Sequence, residues 1–158
     1  MQKIQTCLWF DGNAEEAINF YHSIFKDGKI TQVLRWSKNQ PGPEGEILTA
    51  QFTLFGQEYL ALNGGPQFKF NEAISIVVNC DSQAEVDEYW TKLTANGGEE
   101  SMCGWLKDRF GLSWQIVPKQ MMKFLGDKDQ AKAGRAMNAM LQMRKIDINV
   151  IENAFNGK

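Results

Sequence analysis

Histidine is nearly missing from this chain, at one residue, His22, in 158. The scarcity bears on chemistry, because imidazole is the commonest metal-ligating side chain and the usual general base near neutral pH. A Ser-His-Asp or Cys-His arrangement would have to use His22, which nothing in the spacing sets beside Cys7 or Cys103, so nucleophilic catalysis of that kind is not expected. Cysteine is sparse too. Cys7, Cys80 and Cys103 are an odd number without CxxC spacing, which argues against a disulfide framework and a thiolate zinc site and leaves reduced thiols. An excess of one charge is also lacking: 17 Lys plus Arg face 19 Asp plus Glu, a net charge of -2. There is thus no electrostatic footprint for nucleic acid or an anionic membrane. No apolar run approaches the roughly 18 residues that span a bilayer, and the N-terminal residues lack the basic-then-apolar pattern of a secretory signal. The reading is a soluble cytoplasmic protein with no nucleic-acid or membrane partner.

What the chain does have is an internal echo. Asp11-Gly-Asn-Ala14-Glu15 and Asp81-Ser-Gln-Ala84-Glu85 align at an offset of 70, and the same offset sets Leu8 on Val78, Phe20 on Trp90 and Gly28 on Gly98. Further on, Phe55-Gly-Gln-Glu-Tyr59-Leu60 parallels Phe110-Gly-Leu-Ser-Trp114-Gln115 at an offset of 55. A duplicated module follows as the working hypothesis.

Within the first copy, Lys3 to Phe10 reads as a strand that ends at Asp11-Gly12. Asn13 is the expected N-cap of a helix whose Ala17, Ile18, Phe20, Tyr21, Ile24 and Phe25 recur at helical spacing. Ile30 to Trp36 predicts a second strand, Ser37 to Gly45 a loop and candidate lid, and Ile47 to Phe55 with Gln57 to Leu62 a hairpin about Gly56. The second copy predicts a strand over Ala73 to Asn79, a helix capped by Asp81 or Ser82, and short strands near Ser101 to Lys107 and Leu112 to Val117. From Lys119 the pattern turns helical, with Met122, Leu125, Met137, Met140, Leu141, Ile148, Ile151 and Phe155 as apolar positions. The fold expected is α+β: two βαβββ modules, about residues 2–65 and 72–118, forming a curved, mostly antiparallel sheet with a concave cavity. Residues 1–118 hold the paired modules and 119–158 a C-terminal helical extension.

Alternation splits each leading strand into two faces. Ile4, Thr6, Leu8 and Phe10, with Ile74, Ile76, Val78 and Cys80, suit burial under the helices. Gln5, Cys7 and Trp9, with Ser75, Val77 and Asn79, form the opposite, mixed face, and Thr49, Gln51 and Thr53 share its phase. Polar groups set among apolar ones are what a small-molecule pocket presents. The expected cavity residues are Gln5, Cys7, Trp9, Thr49, Gln51, Ser75 and Gln115. Trp9 is the best wall, since indole offers a large rigid surface. Trp114 alternates with Gln115 and should face the helices.

The βαβββ order, Leu-Trp-Phe-Asp-Gly-Asn-Ala-Glu-Glu-Ala-Ile-Asn-Phe-Tyr (8–21) and Asp-Arg-Phe-Gly-Leu-Ser-Trp-Gln-Ile-Val-Pro (108–118) resemble the vicinal oxygen chelate superfamily. Ala61-Leu-Asn-Gly-Gly-Pro66, Phe68-Lys-Phe70 and Cys103-Gly-Trp-Leu-Lys-Asp108 are similar to its PhnB-like branch, often labelled 3-demethylubiquinone-9 3-methyltransferase. The resemblance covers about residues 2 to 118 and implies a homodimer and, in metal-dependent members, a divalent ion held by His, Glu or Gln on the first and last strands of each module. Carried over, those positions are Gln5, Leu60, Ser75 and Gln115, which offer neither imidazole nor carboxylate. A metal-free small-molecule binding module is the expected function. A register shift on the fourth strand would present Glu58 or Asn63 instead, which leaves room for a weakly held divalent ion and a metal-dependent isomerase, lyase or dioxygenase as the rival reading. Methyl transfer is not expected, because a methyl donor is usually cradled by a glycine-rich turn and no GxGxG occurs.

Overall fold

The structure, a computed structural model, describes residues 2–158. By internal packing it divides into two compact units, one ending at Phe70 and one running from Asn71 to Lys158.

The first unit comprises β1 (Thr6–Phe10), α1 (Ala14–Ile24), β2 (Lys29–Arg35), β3 (Ile47–Leu54) and β4 (Gln57–Asn63). Its sheet has the order β1-β4-β3-β2, with β1 parallel to β4 and the other pairs antiparallel. Helix α1 packs on β3 and β4. Its Ala17, Ile18, Tyr21 and Ile24 are buried, as are Leu8, Phe10, Ala50, Phe52, Tyr59 and Ala61 of the strands. Phe52 stacks against Tyr21 at 6.4 Å and Tyr59 at 5.4 Å between ring centroids. Each such large side chain removed from water contributes roughly 1.5–3 kcal/mol, so this layer is what holds helix to sheet.

Two local expectations are corrected. Asn13 makes no capping hydrogen bond; the α1 N-terminus is instead closed by Asn63, whose Oδ1 accepts from the Ala14 N–H at 3.0 Å while its Nδ2 donates to the Ile47 carbonyl at 2.8 Å. The first strand starts later than Lys3, because pairing with β4 begins at Thr6 opposite Tyr59. Ile4, expected under the helix, therefore lies outside the ladder and is 87% exposed. The 37–45 loop is closed at its base by the Gly45 N–H donating to the Trp36 carbonyl and the Trp36 N–H to the Glu46 carbonyl, both at 2.9 Å.

The second unit repeats the plan with β5 (Ile76–Cys80), α2 (Gln83–Thr94), β6 (Glu99–Glu100), β7 (Trp105–Lys107) and β8 (Ser113–Pro118), in the order β5-β8-β7-β6. The registers correspond as well. Cys7 pairs with Leu60 in the first sheet, and Val77, 70 residues on, pairs with Gln115, 55 residues on, in the second. Ser82 is the α2 cap, its hydroxyl accepting from the Glu85 N–H at 3.2 Å. Trp114 is buried on the helix side as expected. Ile74 repeats the fate of Ile4, since the ladder starts at Ile76 opposite Trp114 and leaves Ile74 71% exposed.

Strand β7 is shorter than Ser101 to Lys107 because Cys103 and Gly104 both adopt left-handed backbone, at φ 59 and 83. Their N–H groups turn to the Met143 and Arg144 carbonyls, each at 2.7 Å. Those acceptors belong to the C-terminal segment, which carries α3 (Met121–Leu125), α4 (Gln130–Leu141) and α5 (Ile148–Phe155). The helices close on Met121, Ala136, Ile146 and Ile151, with Phe124, Leu125, Met140, Met143 and Phe155 packed around them. Met122, Met137 and Leu141, apolar positions of the helical pattern, are exposed. Three short helices packed on one another admit a narrow stripe from each, and these residues fall outside it.

Candidate functional site

In the first unit the face of the sheet opposite α1 is built by register. One row across the strands reads Cys7, Leu60, Gln51, Gln32, and the next reads Trp9, Leu62, Thr49, Leu34. The structure thus brings Cys7, Trp9, Thr49 and Gln51 together on one face, with Leu60 and Leu62 as a floor between them. Gln5 shares their alternation just ahead of β1, and its Nε2 is buried without a hydrogen-bond partner. A third row, Glu58, Thr53, Lys29, brings in the first charged side chains.

Trp9 is fixed in place. Its Nε1–H donates to the Gly65 carbonyl at 2.7 Å, and the Phe68 ring stands edge-on to it at 4.9 Å. Gly64 is required where it is, since a Cβ there would lie 2.3 Å from the indole. The Gly64-Gly65 turn that follows β4 therefore serves to seat an aromatic wall. Phe68, which motif reading had not joined to the site, is 65% exposed beside it. Its pairing with Trp9 depends on a turn geometry that spacing alone does not reveal. Cys7 is exposed, and the partial desolvation of its thiol by neighbouring side chains raises its pKa above the ordinary value, so it is a protonated, weakly polar lining group at neutral pH.

In the second unit Ser75 and Gln115 meet directly, Gln115 Nε2 donating to Ser75 Oγ at 2.8 Å. Trp105 flanks Gln115 on β7. Nearby, Asp108 is a buried carboxylate, 2% exposed, that accepts from the Phe110 and Leu112 N–H groups at 2.8 and 3.1 Å and from Trp114 Nε1 at 2.9 Å. It is held by the turn it organises. A small cleft of about 130 Å³ lies between Glu72, Glu99, Trp105 and Lys107, with Lys107 ion-paired to Glu72.

The donor set does not suit a divalent ion. Leu60 has no donor atom, Gln115 and Ser75 bond to each other, and no group of three or more His, Cys, Asp or Glu side chains capable of holding a metal occurs among the described residues. Asn63, the register-shift alternative, is occupied in capping α1. Glu58 does stand on the open face, and its carboxylate accepts from the Gln2 N–H at 2.7 Å. His22 lies on the opposite, helix side, its ring 6.0 Å from Phe52.

A family model described as 3-demethylubiquinone-9 3-methyltransferase matches residues 2–117. The chain belongs to this PhnB-like family. A Bacillus cereus structure described as a putative 3-demethylubiquinone-9 3-methyltransferase, PhnB protein, is 39% identical, with a TM-score of 0.69 over 74% of this chain and 99% of that one. A Pseudomonas aeruginosa protein is 25% identical, with a TM-score of 0.61 over 75% of this chain and 98% of that one. A fosfomycin resistance protein from Mesorhizobium loti, 12% identical over 80% of this chain and 100% of that one, has a TM-score of 0.56, a likeness of fold alone. No curated protein matches the sequence. The fold is that of the vicinal oxygen chelate superfamily, and helices α3 to α5 of this PhnB-like chain lie beyond the matched residues.

Proposed function

We propose that this protein binds a small molecule without a bound metal, on the open faces of its modules: over Gln5, Cys7, Trp9, Thr49 and Gln51 in the first, and beside Ser75 and Gln115 in the second. The observation that carries the reading is the seating of Trp9, a large ring held by a hydrogen bond and a glycine contact on a sheet face its own helix leaves uncovered. Preorganised aromatic area beside neutral polar groups favours ligand binding over solvation. Methyl transfer, the activity in the family's name, finds no support here: Gly64 and Gly65 follow β4 and seat Trp9, and Gly97 and Gly98 follow α2.

A thermal-shift screen of metabolites tests the reading. A ligand at a hundredfold excess over its Kd stabilises the native state by about 2.7 kcal/mol. Most of that shift should disappear in Trp9→Ala for a ligand of the first module or in Gln115→Leu for one of the second, and persist in His22→Ala. A hit whose shift survives both cavity substitutions sinks the assignment. The metal-dependent alternative rests on Glu58, the one carboxylate on the first module's open rows. Elemental analysis of protein purified without a chelating column decides between them: near-stoichiometric zinc, manganese, nickel or iron overturns the metal-free reading.

The homodimer belongs to the same proposal. Strand β2 is exposed along all seven residues, including Ile30, Val33 and Leu34, and such an edge calls for a cover that a second copy can supply. Light scattering at micromolar concentration should give twice the chain mass of 18.0 kDa; a monomer there rejects the dimer.

A further inference from the structure

The open face of the first module is selective in what it offers, and that selectivity points to a ligand class. The rows Cys7, Leu60, Gln51, Gln32 and Trp9, Leu62, Thr49, Leu34 contain no ionisable side chain other than a thiol whose pKa partial desolvation raises. Charge first enters in the third row, at Glu58 and Lys29. An anion laid over Leu60 and Leu62 would lose water and gain no cation in return, which is costly. A cation would find no carboxylate within these two rows.

The two aromatic groups set the shape. Trp9 is locked by its bond to the Gly65 carbonyl, and Phe68 stands perpendicular to it with interplanar angle 76° while remaining 65% exposed. A large apolar ring held in water next to a fixed indole is a surface that a third ring would cover, by stacking on one partner and meeting the edge of the other. Polar anchors stand at a distance that suits such a ring. From Trp9 on β1 to Thr49 on β3 is two strand spacings, roughly 10 Å, with Leu62 between them. Gln51 stands beside Leu60 in the adjoining row.

We propose that the face takes an uncharged, flat aromatic molecule bearing an acceptor oxygen, with its ring over Leu60 and Leu62 against Trp9 and Phe68 and its oxygen turned to the Gln51 amide. This rests on the small-molecule reading given above and narrows it to one ligand chemistry.

The test uses the full chain with nitrogen-15-labelled indoles, Trp9 being assigned through Trp9→Phe. Three probes are titrated: coumarin, which is flat, neutral and carries a carbonyl; coumarin-3-carboxylate, the same ring system as an anion; and δ-valerolactone, the neutral oxygen acceptor without an aromatic ring. Coumarin should move the Trp9 indole resonance saturably, and the carboxylate and the aliphatic lactone should bind at least tenfold more weakly. Phe68→Ala and Gln51→Leu, both at positions the core does not need, should each weaken coumarin at least fivefold. Equal binding of the carboxylate or of the aliphatic lactone at Trp9 overturns the ligand class and leaves the site standing. No movement with coumarin at millimolar concentration also overturns the class. The site reading is decided separately, and falls if ligands found by thermal shift keep their effect in both Trp9→Ala and Gln115→Leu.

Discussion

His22 packs where a helix residue meets a glycine turn: a Cβ on Gly28 would lie 2.1 Å from its Cδ2, and its Nε2 is buried without a partner. Desolvation lowers its pKa below the usual 6.5, against the opposing influence of a hydrogen bond with the Thr53 backbone and the charge of Asp27. A depressed value in the folded state means that the unfolded chain takes up the proton more readily. The stability linked to this group is therefore present above about pH 6.5, the unfolded value, and is lost as pH falls through the folded one. Urea midpoints measured at pH 7.5 and 5.5 should fall more in the wild-type protein than in His22→Gln. Identical losses in the two would show that the ring is as well solvated in the native state as in the unfolded one.

At the scale of elements, α1 offers a paired comparison. Asn63→Ala removes both the bond to the Ala14 N–H and the one to the Ile47 carbonyl, and should cost about 1–2 kcal/mol in chemical denaturation. Asn13→Ala, at the position that sequence marks as the cap, should stay within about 0.5 kcal/mol. A larger loss at Asn13 than at Asn63 would reverse the assignment. The contrast also shows what was legible in the sequence. Strand and helix identities, the repeat and the two faces of β1 and β5 follow from local alternation and turn residues, so Leu8, Phe10, Val78 and Trp114 lie where period two sets them. Where a ladder begins is set by pairing with a distant strand rather than by local alternation, so Ile4 and Ile74, in phase with the buried face, lie ahead of the ladders and are exposed. The Asn63 cap acts across 49 residues, a separation to which no local pattern is sensitive. That Cys7, Trp9, Thr49 and Gln51 share one face is legible because register follows phase, whereas Phe68 reaches Trp9 through the backbone path of Gly64-Gly65.

On the scale of the molecule, the C-terminal helices are held to the second module by few but specific bonds. Gln83 grips the extension as one peptide group grips another, its Nε2 donating to the Ile146 carbonyl and its Oε1 accepting from the Ile148 N–H, both at 3.0 Å. Ile146 packs against Gly104, which has no side chain to obstruct it. The accompanying ion pairs, Lys145 with Asp87 and Arg144 with Glu100, are largely solvated and each is worth about 0–1 kcal/mol. Gln83→Ala should thus speed hydrogen exchange at Ile148 and through α5 while leaving β1 to β4 unchanged, and 0.5 M salt should do far less. Exchange that responds to salt more than to Gln83→Ala would assign the attachment to charge instead.

The position of Asn63 has a consequence for a chain emerging from the ribosome. Helix α1 is complete early, yet the amide that closes its first turn arrives 49 residues later, on the final residue of β4, the same strand with which β1 pairs. Until that strand emerges, β1 has nothing to pair with and α1 is a single eleven-residue helix, too short to persist alone in water. The oldest residues of the first module thus depend on one of its youngest: neither the β1–β4 pairing nor the closing of the first turn of α1 is available until the chain has been made as far as Asn63.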